Sequence, residues 1–159
     1  MSYIFAIDPG NIESGYVILE KGTLKPVEIG KIENELLLEK VKTTSLEIEF
    51  AIEMIASYGM AVGQTVFDTC RWVGRFEQAI IDNHNKYTLI YRKDVKLKLC
   101  YSMKAKDSNI IQALIDRFAP NVRNKGKGTK KEQGFFYGFK KDIWQAYAVG
   151  VTYSDLYLN

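Results

Sequence analysis

Histidine is almost missing from this 159-residue chain, which holds a single one, His84, between asparagines in a polar turn. A histidine-rich metal centre is thereby excluded, and a surface turn is the expected place for His84. Cysteine is nearly as scarce. Cys70 and Cys100 lack metal-ligand spacing, and each sits in an apolar, patterned segment, so both read as reduced structural thiols. No apolar run approaches the length of a membrane span, and the first one is interrupted by Asp8 before it can serve as a signal sequence. These absences point to a cytoplasmic protein with no membrane partner. Internal repeats are missing too. Net charge is only +3, too little to imply nucleic acid unless the charges are unevenly placed. What is present, 47% apolar and 26% charged residues, suits one domain over 1–159 with a proper core.

The first stretch, Tyr3-Ile4-Phe5-Ala6-Ile7-Asp8-Pro9-Gly10, is apolar on both faces and stops at a carboxylate. That pattern suits a strand inside a sheet. Taken alone, Asp8 opens a turn, because Asp-Pro-Gly is ordinary turn chemistry. Gly15 to Glu20 and Val27 to Ile32 read as two more strands, joined by short turns into an antiparallel meander. Glu33 to Lys42 has a short helical pattern. From Leu46 the chain alternates, with Ile48, Phe50, Ile52 and Met54 on one face and Glu47, Glu49, Ala51 and Glu53 on the other. Reaching this strand through a helix lets it lie parallel to the first, which sets Asp8 and Glu53 at the same end of adjacent strands. Glu49, several residues back, reads as a solvated side chain.

Thr65 to Asp82 reads as a helix with Val66, Cys70, Val73 and Ile80 on one face and Phe76 at its border. Arg71 and Arg75 share another face, read as solvated. Tyr87 to Tyr91 reads as a fifth strand, with Arg92, Lys93, Lys96 and Lys98 just beyond it. A helix follows from Asp107 or Ser108 to Phe118, stopped by Pro120. Asn121 to Lys141 is basic and glycine-loosened, and reads as a mobile loop leading into the aromatic segment Phe135, Phe136, Tyr137 and Phe139. Asp142 opens a last helix that runs to about Leu156. An acid at that place also has a capping role. The fold class is α/β: a five-stranded mixed sheet, three strands antiparallel and two parallel, flanked by helices.

Asp8, Glu53 and Asp142 thus lie at strand or helix ends, with no basic partner beside them in sequence. Should they converge, three bare carboxylates repel, and a divalent cation resolves the conflict. Oxygen donors without histidine favour Mg2+ or Mn2+ over zinc.

Three motifs occur in order over nearly the whole chain: Ala6-Ile7-Asp8-Pro9-Gly10 with Ser14-Gly15, Phe50-Ala51-Ile52-Glu53, and Asp142 ahead of Gln145-Ala146-Tyr147-Ala148. In these the chain resembles the RuvC-type Holliday junction resolvases of the ribonuclease H superfamily, the short phage-borne forms in particular. The resemblance implies a ribonuclease H-like fold and a metal-dependent endonuclease for four-way junctions and related branched DNA, phage-encoded and working in the bacterial host cell. It implies two Mg2+ ions, replaceable by Mn2+, with Asp8, Glu53 and Asp142 as catalytic ligands. The family's fourth acid falls at Gln145, whose neutral amide is a weaker ligand. The first helix is shorter than in the cellular enzymes. The aromatic that the family places after its second acid has Tyr58 as nearest counterpart, a candidate junction wedge or else a loop aromatic packed on its own domain. Arg92, Lys93, Lys96 and Lys98, with Arg123, Lys125, Lys127, Lys130 and Lys131, are the candidate DNA contacts. Symmetric cutting implies a homodimer, for which the 65–82 helix offers Phe67, Trp72 and Phe76 unless these pack inside the monomer. Two other readings stay open: a junction-binding protein with little or no catalysis, and a nuclease for RNA–DNA hybrids.

Overall fold

The computed structural model describes residues 2–45 and 47–159. Its elements follow in the order β1 (Tyr3–Asp8), β2 (Glu13–Glu20), β3 (Pro26–Glu33), α1 (Asn34–Lys42), β4 (Ile48–Met54), α2 (Gln64–Asp82), β5 (Lys86–Tyr91), α3 (Arg92–Cys100), α4 (Asp107–Phe118) and α5 (Asp142–Tyr153). The strands form one sheet in the order β3-β2-β1-β4-β5. β1 pairs antiparallel with β2 and parallel with β4, β2 pairs antiparallel with β3, and β4 pairs parallel with β5. This is the expected mixed sheet. Leu46, where the alternation of the fourth strand begins in sequence, lies outside the described residues.

Because side chains alternate along a strand, the two faces of the sheet collect different residues. Ile4, Ala6, Val17, Leu19, Ala51 and Ile90 face α3, α4 and α5. Phe5, Ile7, Tyr16, Phe50 and Ile52 face α1 and α2. The result is three layers with the sheet in the middle, which is why β1 is apolar on both faces. Helix α5 crosses the first face closely. A Cβ at Gly150 would lie 2.8 Å from Leu19 and 3.1 Å from Ala6, so the absence of a side chain there sets the separation of helix and sheet.

Several sequence expectations are corrected. Arg92 to Cys100 is a helix, α3, where sequence reading placed only a basic run after β5. Its weak amphipathicity, with Val95 alone buried, explains the miss. In α2 the buried residues are Thr69, Val73, Phe76, Ala79 and Ile80, so Phe76 belongs to the core and not to the border. The 121–141 stretch is stitched by a 3-10 turn at Asn124–Gly126 and by backbone bonds from Gly134 to Lys127 and from Phe136 to Gly126. Phe136 and Phe139 are fully buried against Trp144 and Tyr147, because the aromatic segment roofs the core above α5. The last helix continues past Tyr153 as a π turn over Ser154–Leu158. Glu49 is half-buried rather than solvated: it accepts a 2.7 Å bond from the Tyr153 hydroxyl and pairs with Lys21. Arg71 and Arg75 are both exposed, as expected, and Arg75 also lies over the Trp72 ring at 4.0 Å and meets the exposed Glu35 at 3.4 Å. His84 is exposed in the α2–β5 turn, and both cysteines are free thiols. No helix among the described residues is long and apolar enough to cross a membrane.

Candidate active site

The period of two that builds the core also sorts the charged residues. Counting along β1 from Ala6, Asp8 falls on the α5 face; counting along β4 from Ala51, so does Glu53. Ile7 lies opposite Ile52, so the next pair along these parallel strands is Asp8 and Glu53. On the other side Asp8 lies opposite Gly15, and Gly15 opposite Lys31. A row thus crosses the carboxyl end of β1 and β4: Lys31, Gly15, Asp8, Glu53.

Asp142 enters this row from α5. A Cβ on Gly15 would lie 2.7 Å from the Asp142 carbonyl oxygen and 3.0 Å from its Cβ. The glycine opens the space in which the helix start settles beside Asp8. Lys31 then reaches the Asp142 carboxylate at 2.8 Å. The loop after Asp8 is pinned from beneath. The Gly10 amide donates to the Ser14 hydroxyl (3.1 Å), which donates to the Asn34 carboxamide oxygen (2.5 Å), while the Asn34 amide donates to the Gly10 carbonyl (2.8 Å). Ser14 and Asn34 are buried, so removing either would strand a polar partner.

On the far side stands Arg92. It falls two residues beyond Ile90, on the same face, and its guanidinium turns into the site. It donates to the Gln145 side-chain oxygen, pairs with Asp107 at the start of α4, and lies 3.9 Å from Glu53 Oε2. That Glu53 oxygen is buried and has no hydrogen-bond partner.

The electrostatics follow from this crowding. Burial, then the nearby Glu53 and Asp142 charges, push the Asp8 carboxyl up to about 8, against the pull of Arg92 and Lys31. Glu53 is also raised, by burial and by Asp142; the opposing attraction of Arg92 is too small to cancel desolvation. Asp142 in turn holds the Lys31 ammonium above its ordinary value. The three acids therefore lie near one another at one end of the sheet, and Asp8 and Glu53 resist ionisation.

A divalent cation fits this donor set: oxygen ligands, mutual repulsion, and an orphaned buried carboxylate oxygen on Glu53. Among the described residues no three acid, histidine or cysteine side chains already close on one point. The acids are instead drawn outward, Asp142 to Lys31 and Glu53 toward Arg92.

Of the other candidates, Lys93, Lys98, Arg123, Lys125, Lys130 and Lys131 are exposed and Lys96 and Lys127 half-buried. Tyr58 is 62% exposed on the loop after β4, so it does not pack on its own domain. On α2, Phe67 is exposed, Trp72 half-buried and Phe76 enclosed in the monomer. Sequence reading missed Lys31, Asn34 and Asp107 and the inward turn of Arg92. Period-two counting from Ile29 would have set Lys31 on the face of the site but not shown its partner; Asn34, Asp107 and the inward turn of Arg92 carry no local signal.

No protein-family model matches the chain, and no curated protein matches it in sequence. Among solved structures it is similar to RuvC of Thermus thermophilus, with a TM-score of 0.65 and 14% identity over 96% of this chain and 93% of that one. It is similar also to T. thermophilus RuvC in complex with a Holliday junction substrate, at TM-score 0.65 and 12% identity over 97% and 93%. The fold is therefore that of the RuvC Holliday junction resolvases, a ribonuclease H-like sheet flanked by helices.

Proposed function

We propose that this chain is a metal-dependent, structure-selective endonuclease that cuts phosphodiesters in four-way DNA junctions and related branched DNA. The observation that carries the reading is the nearness of Asp8, Glu53 and Asp142 at the carboxyl end of β1 and β4 in a RuvC-type fold, the end where such sheets place their sites. Bound Mg2+, or Mn2+ in its place, supplies Lewis acidity toward the phosphodiester and lowers the pKa of water. Asp8, Glu53 and Asp142 would hold it. Lys31 and Arg92 keep the acids apart and oriented from either side.

Exposed lysines on α3 (Lys93, Lys98) and the 123–131 stretch (Arg123, Lys125, Lys130, Lys131) supply backbone contacts, with Lys96 and Lys127 behind them. Arg92 contributes through the site rather than from the surface. Tyr58 stands free to stack at a junction centre. Two cuts on a symmetric junction call for a homodimer, with Phe67 and Trp72 of α2 as the apolar contribution. The setting is phage DNA recombination or processing in the cytoplasm of the bacterial host.

The test is nicking of a labelled four-way junction in Mg2+ by the wild type and Asp8→Asn, with linear duplex and RNA–DNA hybrid alongside. Junction nicking lost in Asp8→Asn is expected; undiminished nicking by that variant refutes the assignment, and preference for the hybrid moves the substrate class. One observation favours a second reading, a junction-binding protein with weak or no catalysis: Gln145 is neutral and already engaged by Arg92. Tight junction binding without cleavage in either Mg2+ or Mn2+ would select it.

A further inference from the structure

The charge on the Arg92 side of the site is already answered. Arg92 carries a fixed positive charge on a rigid fork of N–H donors. Both of its terminal nitrogens are committed: one to the Gln145 oxygen and toward Glu53 Oε2 at 3.9 Å, the other to Asp107. The side chain is only 26% exposed, so the guanidinium is held in the site by partners on β4, α4 and α5. The position where the resemblance would place a fourth acid therefore contributes an amide oxygen that points at a cation.

Charge counting gives the same result. Asp8, Glu53 and Asp142 bring three negative charges. Lys31 answers Asp142, and Arg92 is shared between Glu53 and Asp107. One divalent ion offsets all of what remains. A second would stand against a fixed guanidinium with only a neutral amide to receive it, and both terms disfavour it.

We propose that Arg92 is a positioning residue that takes the place of a second metal ion, so that the DNA-free protein binds a single divalent cation per chain, held by Asp8, Glu53 and Asp142. The two-ion expectation carried by the resemblance does not apply to this chain. The inference rests on the reading of those three acids as metal ligands. Arg92 acts through Gln145 and Glu53: it holds the amide oxygen away from a metal and keeps Glu53 from needing a second one.

The experiment counts metal rather than turnover. Mn2+ is titrated into DNA-free protein by equilibrium dialysis, and electron paramagnetic resonance reports whether bound ions are close enough to couple. Wild type is expected to hold one ion with an uncoupled six-line spectrum. Gln145→Asp alone, in which Arg92 remains to neutralise the new acid, is expected to stay at one. Arg92→Gln combined with Gln145→Asp is expected to hold two, with dipolar broadening. Two coupled ions in wild type or in Gln145→Asp overturn the proposal, as does a folded double variant that still holds one. Circular dichroism checks folding, and if the double variant does not fold, the wild-type and Gln145→Asp counts decide. No bound Mn2+ in any of them removes the metal-ligand reading itself, an outcome distinct from a count of two.

Discussion

Asp8 makes the metal-free protein pay for its own active site as pH rises. Its carboxyl is lifted from an ordinary 3.8 to about 8 by burial and by Glu53 and Asp142. The folded state therefore holds the proton more tightly than the unfolded chain. Below pH 3.8 both states are protonated, and Asp8 brings no electrostatic penalty. Between pH 3.8 and about 8 the unfolded state ionises freely while the folded state does not, and stability falls with rising pH. At about 1.4 kcal/mol per pH unit the whole interval amounts to a ceiling of ~6 kcal/mol, and water at the half-buried mouth reduces this to roughly 3 kcal/mol. Asp8→Asn keeps the shape of the protonated acid and removes the titration. In EDTA, the variant is expected to exceed wild type in stability by about 1 kcal/mol at pH 5 and by roughly 3 kcal/mol at pH 8.5, with the advantage level beyond. Urea unfolding followed by tryptophan fluorescence across pH 5–9 measures it. Saturating Mg2+ should shrink the gap by stabilising the ionised wild-type cluster. Parallel pH profiles for the two proteins in EDTA would mean that Asp8 is solvated and that the acids do not crowd one another.

Gly15→Ala should cost about 1–3 kcal/mol, because the added methyl meets the Asp142 backbone at 2.7 Å. The same change should weaken the rise in melting temperature expected of the wild type in Mg2+, and an unaltered rise would show that the helix start is not set by this contact. Phe136→Ala should lower stability by about 3–5 kcal/mol in urea titration, since the ring is fully buried with Trp144 at 4.7 Å and Phe139 at 5.0 Å. A loss below about 1 kcal/mol would return the aromatic segment to the role of a peripheral loop.

Much of this molecule follows from periodicity and punctuation along the chain. β1 apolar on both faces, the alternation of β4 and the short turns of the meander determine the mixed sheet, since each depends on neighbours a few residues away. The same local rule determines that Asp8 and Glu53 share a face and an end, because strand geometry leaves no other choice once β1 and β4 are parallel. What only tertiary structure decides lies where residues far apart in sequence meet. The burial of Phe136 and Phe139 depends on α5 passing beneath a segment whose glycines and lysines look like loop. Nothing near Arg92 in sequence shows that its guanidinium turns inward to Gln145, Glu53 and Asp107, because those partners come from three other elements. Lys31 looks like an ordinary solvated strand residue until α5 brings Asp142 to it. The acids were legible because their places follow from backbone geometry; the cations that balance them were not, because long flexible side chains choose partners in space.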